Sequence, residues 1–147
     1  MQNFFSDLHP DFRSKKIICE LKLSLALLNN SKQNPWIILV PKVKNTVEFT
    51  DLTYSNQLLL LEEINIASKI LKLTFNADKI NIAMLGNVTP QLHCHVIARY
   101  KDSLKDKHFP NVLFNLEHEK MNENDLSIRA KQIADEFTSK MLSNSNK

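Results

Sequence analysis

The residues of this chain best suited to chemistry lie in one short run, Gln91-Leu92-His93-Cys94-His95-Val96-Ile97-Ala98-Arg99. In an extended segment side chains alternate between faces, with about 6.6 Å between residues i and i+2. Gln91, His93 and His95 would then share one face, and Leu92, Cys94 and Val96 the other. Burying two imidazoles and a carboxamide in a row is costly unless each finds a partner, so the polar face is expected to line a cleft. Imidazole, with an ordinary pKa of about 6.5, is largely neutral and nucleophilic near pH 7. The same His-x-His spacing also suits a metal-ligand pair or a structural role on a strand. Cys94 alternates away from the histidines and reads as a small core side chain.

The elements that must position these residues can be traced by period. Leu21, Leu23, Leu25 and Leu27 alternate with Lys22, Ser24 and Ala26, a half-buried strand over 21–28 that ends at the turn signal Asn29-Asn30-Ser31. Pro35 opens the apolar run Trp36-Ile37-Ile38-Leu39-Val40, which Pro41 stops, and the two strands are close enough in sequence to pair antiparallel. Ser55 is expected to cap a long helix reaching about Phe75, with Leu58, Leu61, Ile64, Ala67, Ile70 and Leu71 at three- and four-residue spacings. Residues 79–85 and 92–100 read as the strands of a second hairpin, joined by Gly86-Asn87-Val88-Thr89-Pro90. A polar stretch from Lys101 to Lys107 leads into a loop at His108-Phe109-Pro110, where His108 is a candidate lid residue; His9 and His118 read as surface residues. A helix over about 124–142 should dock through Leu126, Ala130, Ile133, Ala134, Phe137 and Met141. The expected class is α+β: an antiparallel sheet of two hairpins, a long central helix and a C-terminal helix, in one domain over 1–147.

Composition narrows the function. A chain of 147 residues suits one core and one site, and 43% hydrophobic against 24% charged residues marks a folding chain. The net charge of +3 is spread over 19 Lys+Arg and 16 Asp+Glu without a basic stripe, so nucleic acid is not an expected partner. One glycine excludes a glycine-rich phosphate loop, and any phosphate must be held another way. No apolar run approaches the roughly 20 residues that span a bilayer, and residues 1–10 lack a signal pattern, so a cytoplasmic location without membrane association is expected. Two distant cysteines, Cys19 and Cys94, are expected to be reduced thiols.

With these residues in view, the chain resembles the histidine-triad family, whose signature is His, apolar, His, apolar, His and two apolar residues. Gln91 stands at the first histidine of that pattern, His93 at the middle one and His95 at the third. The likeness extends from Trp36-Ile37-Ile38-Leu39-Val40-Pro41 through Asp51-Leu52 and the long helix to Asn81 and Gly86-Asn87, covering about 15–110. It implies a nucleotide substrate, a homodimer, and His93 as the nucleophile that attacks an α-phosphorus to give a covalent nucleotidyl-histidine, without a cofactor or metal.

By the same resemblance His95 would orient the nucleophile or contact phosphate, and Asn81 and Asn87 would offer amide donors to phosphate oxygens. Asn30 lies where the family places a polar residue near the ribose. Trp36 occupies a strand position that is histidine in many members and reads either as core or as a stacking surface for a base. Gln91 can donate to phosphate or to the leaving group but cannot transfer a proton. Two functions are therefore carried forward. One is a hydrolase or nucleotidyl transferase acting on a dinucleoside polyphosphate or nucleoside phosphoramidate; the other is a nucleotide-binding regulatory module without turnover. A metal site in a β-barrel is the third reading, disfavoured by the single glycine and the two helices.

Overall fold

A computed structural model of the chain describes residues 4–101 and 119–144. The loop expected around His108, together with His118, lies outside the described residues. Five strands, β1 (Lys16–Glu20), β2 (Ser24–Leu28), β3 (Trp36–Pro41), β4 (Lys79–Ala83) and β5 (Cys94–Arg99), form one antiparallel sheet in the order β1-β2-β3-β5-β4. Both expected hairpins are present, β2–β3 and β4–β5, and β3 joins them by pairing with β5. The single turn α1 (Pro10–Arg13) precedes the sheet, α2 (Tyr54–Thr74) links the hairpins, and α3 (Glu123–Asn144) closes the described chain.

Two boundaries move and one strand is added for local reasons. Helix α2 is capped by Thr53, whose hydroxyl accepts from the Asn56 amide, so Ser55 already sits inside the first turn. The expected strand over 21–28 starts at Ser24, because Leu23 and Ser24 donate their amides to the buried Glu63 carboxylate on α2. Strand β1 was hidden because a bulge between Ile17 and Cys19 breaks its alternation.

The sheet is buried on both sides. One face carries Ala26, Leu28, Ile37, Leu39, Cys94 and Val96 and is covered by α2 and α3 through Leu60, Ile64, Ile70, Ile133 and Phe137. The other carries Leu25, Leu27, Trp36, Ile38, Val40 and Ile97, and residues of the N-terminal segment, Leu8 and Phe12, pack on it. Double burial explains why β3 reads as an unbroken apolar run. Among the described residues no helix is long and apolar enough to cross a membrane.

Phe137 is 1% exposed and joins α3 to α2 and the sheet. Phe137→Ala is expected to lower the stability to urea by about 3–5 kcal/mol with the fold retained by circular dichroism; a loss below about 1 kcal/mol would mean that α3 is not docked as described.

Candidate active site

The histidine face is built where β5 lies between β3 and β4. Ile38 pairs with His95 and Trp36 with Ile97 across β3–β5, while Asn81 pairs with Ile97 and Ala83 with His95 across β4–β5. Strand β5 begins at Cys94, so Gln91, Leu92 and His93 belong to the approach and not to the strand as expected. That approach is pinned by the Leu92 amide donating to the Thr46 carbonyl at 2.9 Å. His93 and His95 still meet on one side of the sheet, with ring centroids 4.8 Å apart and planes crossed at 81°.

Each imidazole has one nitrogen fixed by a group that leaves no choice of proton. His93 Nδ1 lies 2.6 Å from the Gln91 carbonyl oxygen, which can only accept, so Nδ1 carries the proton and Nε2 the lone pair. His95 Nδ1 lies 2.9 Å from Trp36 Nε1, an indole N–H that can only donate, so the His95 proton is on Nε2. The two rings therefore hold opposite tautomers.

Both rings are also held neutral. Burial pushes the His93 pKa below its ordinary value, opposed by the bond to the Gln91 carbonyl and reinforced by the charges of Lys15 and His9. Burial, then His93, then Lys15 push His95 down to about 3. Lys15 was not singled out in the sequence, where it is one lysine in the pair Lys15-Lys16. Its ammonium donates to Asn29 Oδ1 at 2.8 Å, and burial lowers its own pKa. The Asn29 amide in turn donates to the Trp36 carbonyl, so Lys15 is tied to the strand that carries the indole.

Three of the expected site residues have protein partners. Trp36 is 3% exposed and donates its N–H to His95, which agrees with the core alternative and makes it a support for that ring. Asn30 donates to the Met121 carbonyl at 3.1 Å and accepts the Met121 amide at 2.8 Å; both ends of its carboxamide fasten the β2–β3 turn to the approach of α3. Gln91 accepts the His9 amide at 2.7 Å and donates to the Asp7 carbonyl at 3.3 Å, so its side chain bonds to the N-terminal segment. Asn81 lies on the histidine face with its carbonyl oxygen taken by Arg99 Nη1 at 2.7 Å, and Asn87 is exposed in the β4–β5 connection. Cys94 faces the α2 core, its thiol pushed up to about 12 by burial. Among the described residues no group of three or more His, Cys, Asp and Glu side chains is gathered as a metal site would need.

A sheet of this order with paired histidines at the start of an inner strand is a specific arrangement, and comparison with known proteins places it in a family. The HIT domain model matches residues 13–102, and the chain belongs to that family. It is 34% identical to a histidine triad (HIT) protein from Sinorhizobium meliloti 1021 of known structure, over 88% of this chain and 95% of that one, with a TM-score of 0.79. A histidine triad protein from Marinobacter aquaeolei VT8 is also 34% identical, over 84% and 90% of the two chains, with a TM-score of 0.74. A more distant relative is a bis(5'-adenosyl)-triphosphatase of Saccharomyces cerevisiae, 28% identical over 94 residues; the match covers 60% of this chain and only 46% of that enzyme.

The neutral His95 links folding to pH. Its folded pKa of about 3 lies below the unfolded value of 6.5, so between the two the unfolded chain binds a proton that the folded one refuses. Stability should be fullest above pH 6.5 and fall as the pH drops toward 3. His95→Asn should flatten that slope in urea titrations, and an unchanged slope would place the titration elsewhere. In nitrogen-15 spectra at pH 7, His93 should carry its proton on Nδ1 and His95 on Nε2, and Trp36→Phe should leave His95 as a mixture of tautomers.

Proposed function

We propose that the chain hydrolyses or transfers the nucleotidyl group of a nucleoside phosphate derivative through a covalent intermediate on His93. The observation that carries this reading is the His93 Nδ1 bond to the Gln91 carbonyl, which leaves the Nε2 lone pair on a ring that burial keeps neutral. That lone pair attacks the α-phosphorus, and the bond to the leaving group breaks with its electron pair departing on the leaving oxygen. Water then attacks the same phosphorus and gives up a proton to solvent, the P–N bond breaks with its electron pair returning to Nε2 of His93, and a nucleoside monophosphate is released.

Around this step His95 donates its Nε2–H to a phosphoryl oxygen, and the Lys15 ammonium supplies the positive charge that two neutral imidazoles lack. Asn81, oriented by Arg99, and Asn87 contribute amide donors to the phosphate chain. Neither the Gln91 amide nor the neutral His95 is an acid that protonates a leaving amine. The favoured substrates are therefore phosphoanhydrides, whose leaving phosphate departs as a stable anion, ahead of phosphoramidates. Among phosphoanhydrides a dinucleoside polyphosphate suits the relationship to the yeast triphosphatase.

His93→Ala should abolish turnover of bis(5'-adenosyl) triphosphate while binding stays within about tenfold, because other groups supply most ground-state contacts. A labelled nucleotide should be trapped on the wild-type protein in acid-quenched single turnovers and not on the variant. The wild-type rate should hold from pH 8 to below 6.5, since the lowered His93 pKa keeps the attacking ring neutral there. Binding without any trapped intermediate would favour the non-catalytic nucleotide-binding module instead.

A homodimer is part of the same reading. Strand β4 is the edge of the sheet, with Ile82, Met84 and Leu85 exposed on and beyond it, and Leu58 and Leu61 on α2 are about half exposed. Sedimentation at micromolar concentration should give twice the 17.0 kDa chain mass; Ile82→Lys should shift the protein toward a monomer, and a wild-type monomer would overturn this part.

A further inference from the structure

We propose that Gln91 is a positioning residue whose carboxamide latches the N-terminal segment over the histidine face, so that the segment seats Phe12 against the His93 imidazole and holds that ring in its attacking orientation. The inference rests on the nucleophilic reading of His93 given above and assigns a task to the segment, residues 4–14, that the reaction itself does not use.

The latch is built as a strand neighbour would build it. The Gln91 carboxamide has an acceptor oxygen and two N–H donors; the oxygen meets the His9 N–H at 2.7 Å and one N–H meets the Asp7 C=O at 3.3 Å, two groups that bracket Leu8. Next to it the Thr89 hydroxyl donates to the Asp11 carboxylate, and Lys44 lies 3.4 Å from the Asp7 carboxylate. These bonds fix Leu8 and Phe12, at 1% and 2% exposure, in the cluster that also contains Trp36, Ile38 and Ile97. A carboxamide reaching into the cleft to hold phosphate would give up both of its bonds.

The consequence falls on His93. Its ring is held at Nδ1 by the Gln91 carbonyl and on one side by His95, and Phe12 meets it edge-on, with centroids 4.9 Å apart and planes at 63°. A single hydrogen bond leaves an imidazole free to rock about it, and two ring contacts remove that freedom. One residue thus acts twice on the nucleophile: its main chain sets the tautomer, and its side chain sets the wall. The charged or titratable groups around that ring are His95, Lys15 and His9, and His9 in turn lies 3.3 Å from the Asp11 carboxylate.

The test compares Gln91→Ala, Gln91→Glu and Phe12→Ala with the full-length wild type by three readouts. Tryptic cleavage after Arg13, Lys15 and Lys16 without nucleotide reports opening of the segment. Nuclear magnetic resonance titration reports the His93 pKa. Steady-state kinetics with bis(5'-adenosyl) triphosphate separate kcat from KM.

Gln91→Ala should be cleaved about tenfold faster, because fast opening makes cleavage follow the open population. Its His93 pKa should rise toward 6.5 as burial is relieved. Its kcat should fall about 10- to 100-fold with KM changed less than about threefold, since the ring loses orientation and the phosphate contacts remain. Gln91→Glu keeps an acceptor for the His9 amide but loses the donor to Asp7, so it should fall between wild type and alanine in cleavage and kcat, with its His93 pKa raised by the new carboxylate. Phe12→Ala should reproduce the kcat loss.

Loss of kcat in Gln91→Ala with wild-type cleavage and titration would return Gln91 to a phosphate contact and overturn the latch. Faster cleavage with kcat unchanged or raised would mean that the segment covers His93 without positioning it. Normal kcat in Phe12→Ala would remove the ring from the route. If the wild type turns over no nucleotide, the nucleophilic reading fails; cleavage and the His93 titration still decide whether Gln91 holds the segment on the ring.

Discussion

Two imidazoles buried with their centroids 4.8 Å apart cannot both carry a proton's charge, and the rest of the site follows from that constraint. At an effective dielectric near 20 two like charges at that distance repel by about 3 kcal/mol, before any cost of desolvation. Neutrality alone would leave each ring two tautomers. A carbonyl that only accepts and an indole that only donates remove the ambiguity, one for each ring. On the proposed reading, the lone pair on His93 and the donor on His95 are complementary roles in attack on a phosphate.

The sheet makes this pairing affordable in structural terms. Strand β5 is flanked on both sides, so the backbone around His95 is satisfied by β3 and β4 and the ring is set by register with Ile38 and Ala83. The opposite face is sealed by α2 and α3, which leaves the histidine face as the side on which polar groups gather. On that face the apolar cluster around Trp36 and Phe12 supplies the low-polarity surroundings that lower both histidine pKa values. Lys15 brings its charge to the edge of that cluster, tethered by Asn29 and partly desolvated.

Much of this was legible in the sequence, for identifiable reasons. Alternation placed Cys94 against the core and the histidines opposite, because such periods are local properties of the chain. The helical spacings gave Ile64, Ala67, Ile70 and Leu71 of α2 and Leu126, Ala130, Ile133 and Phe137 of α3 as buried. Leu58, Leu61 and Met141 on the same spacings are exposed, and the buried face of α2 turns instead toward Leu60, Glu63 and Ile66. Strand β1 escaped because its bulge breaks the period, and the cap of α2 moved because Thr53 and Ser55 are equally good capping residues by type. The roles of Trp36, Asn30 and Gln91 could not be read in the same way. Each is decided by a partner 59, 91 or 82 residues away in the chain, and residue type states only what a side chain can bond, not which group arrives to bond it. Lys15 carried no signal for the same reason: only the closing of β1 beside β2 brings it to Asn29.

The position of Gln91 gives the most general consequence. A histidine there would add a titratable group to a cluster that already has to keep two rings neutral, and its charged form would be opposed by His93, His95 and Lys15 together. A carboxamide has no charged form. It can be buried against backbone groups at any pH, and it then spends its hydrogen-bonding capacity on the fold instead of on proton transfer. What the site gives up is an acid for the leaving group. On the proposed reading it keeps a His93 ring that burial holds neutral, and that exchange suits a substrate whose leaving phosphate needs no proton to depart.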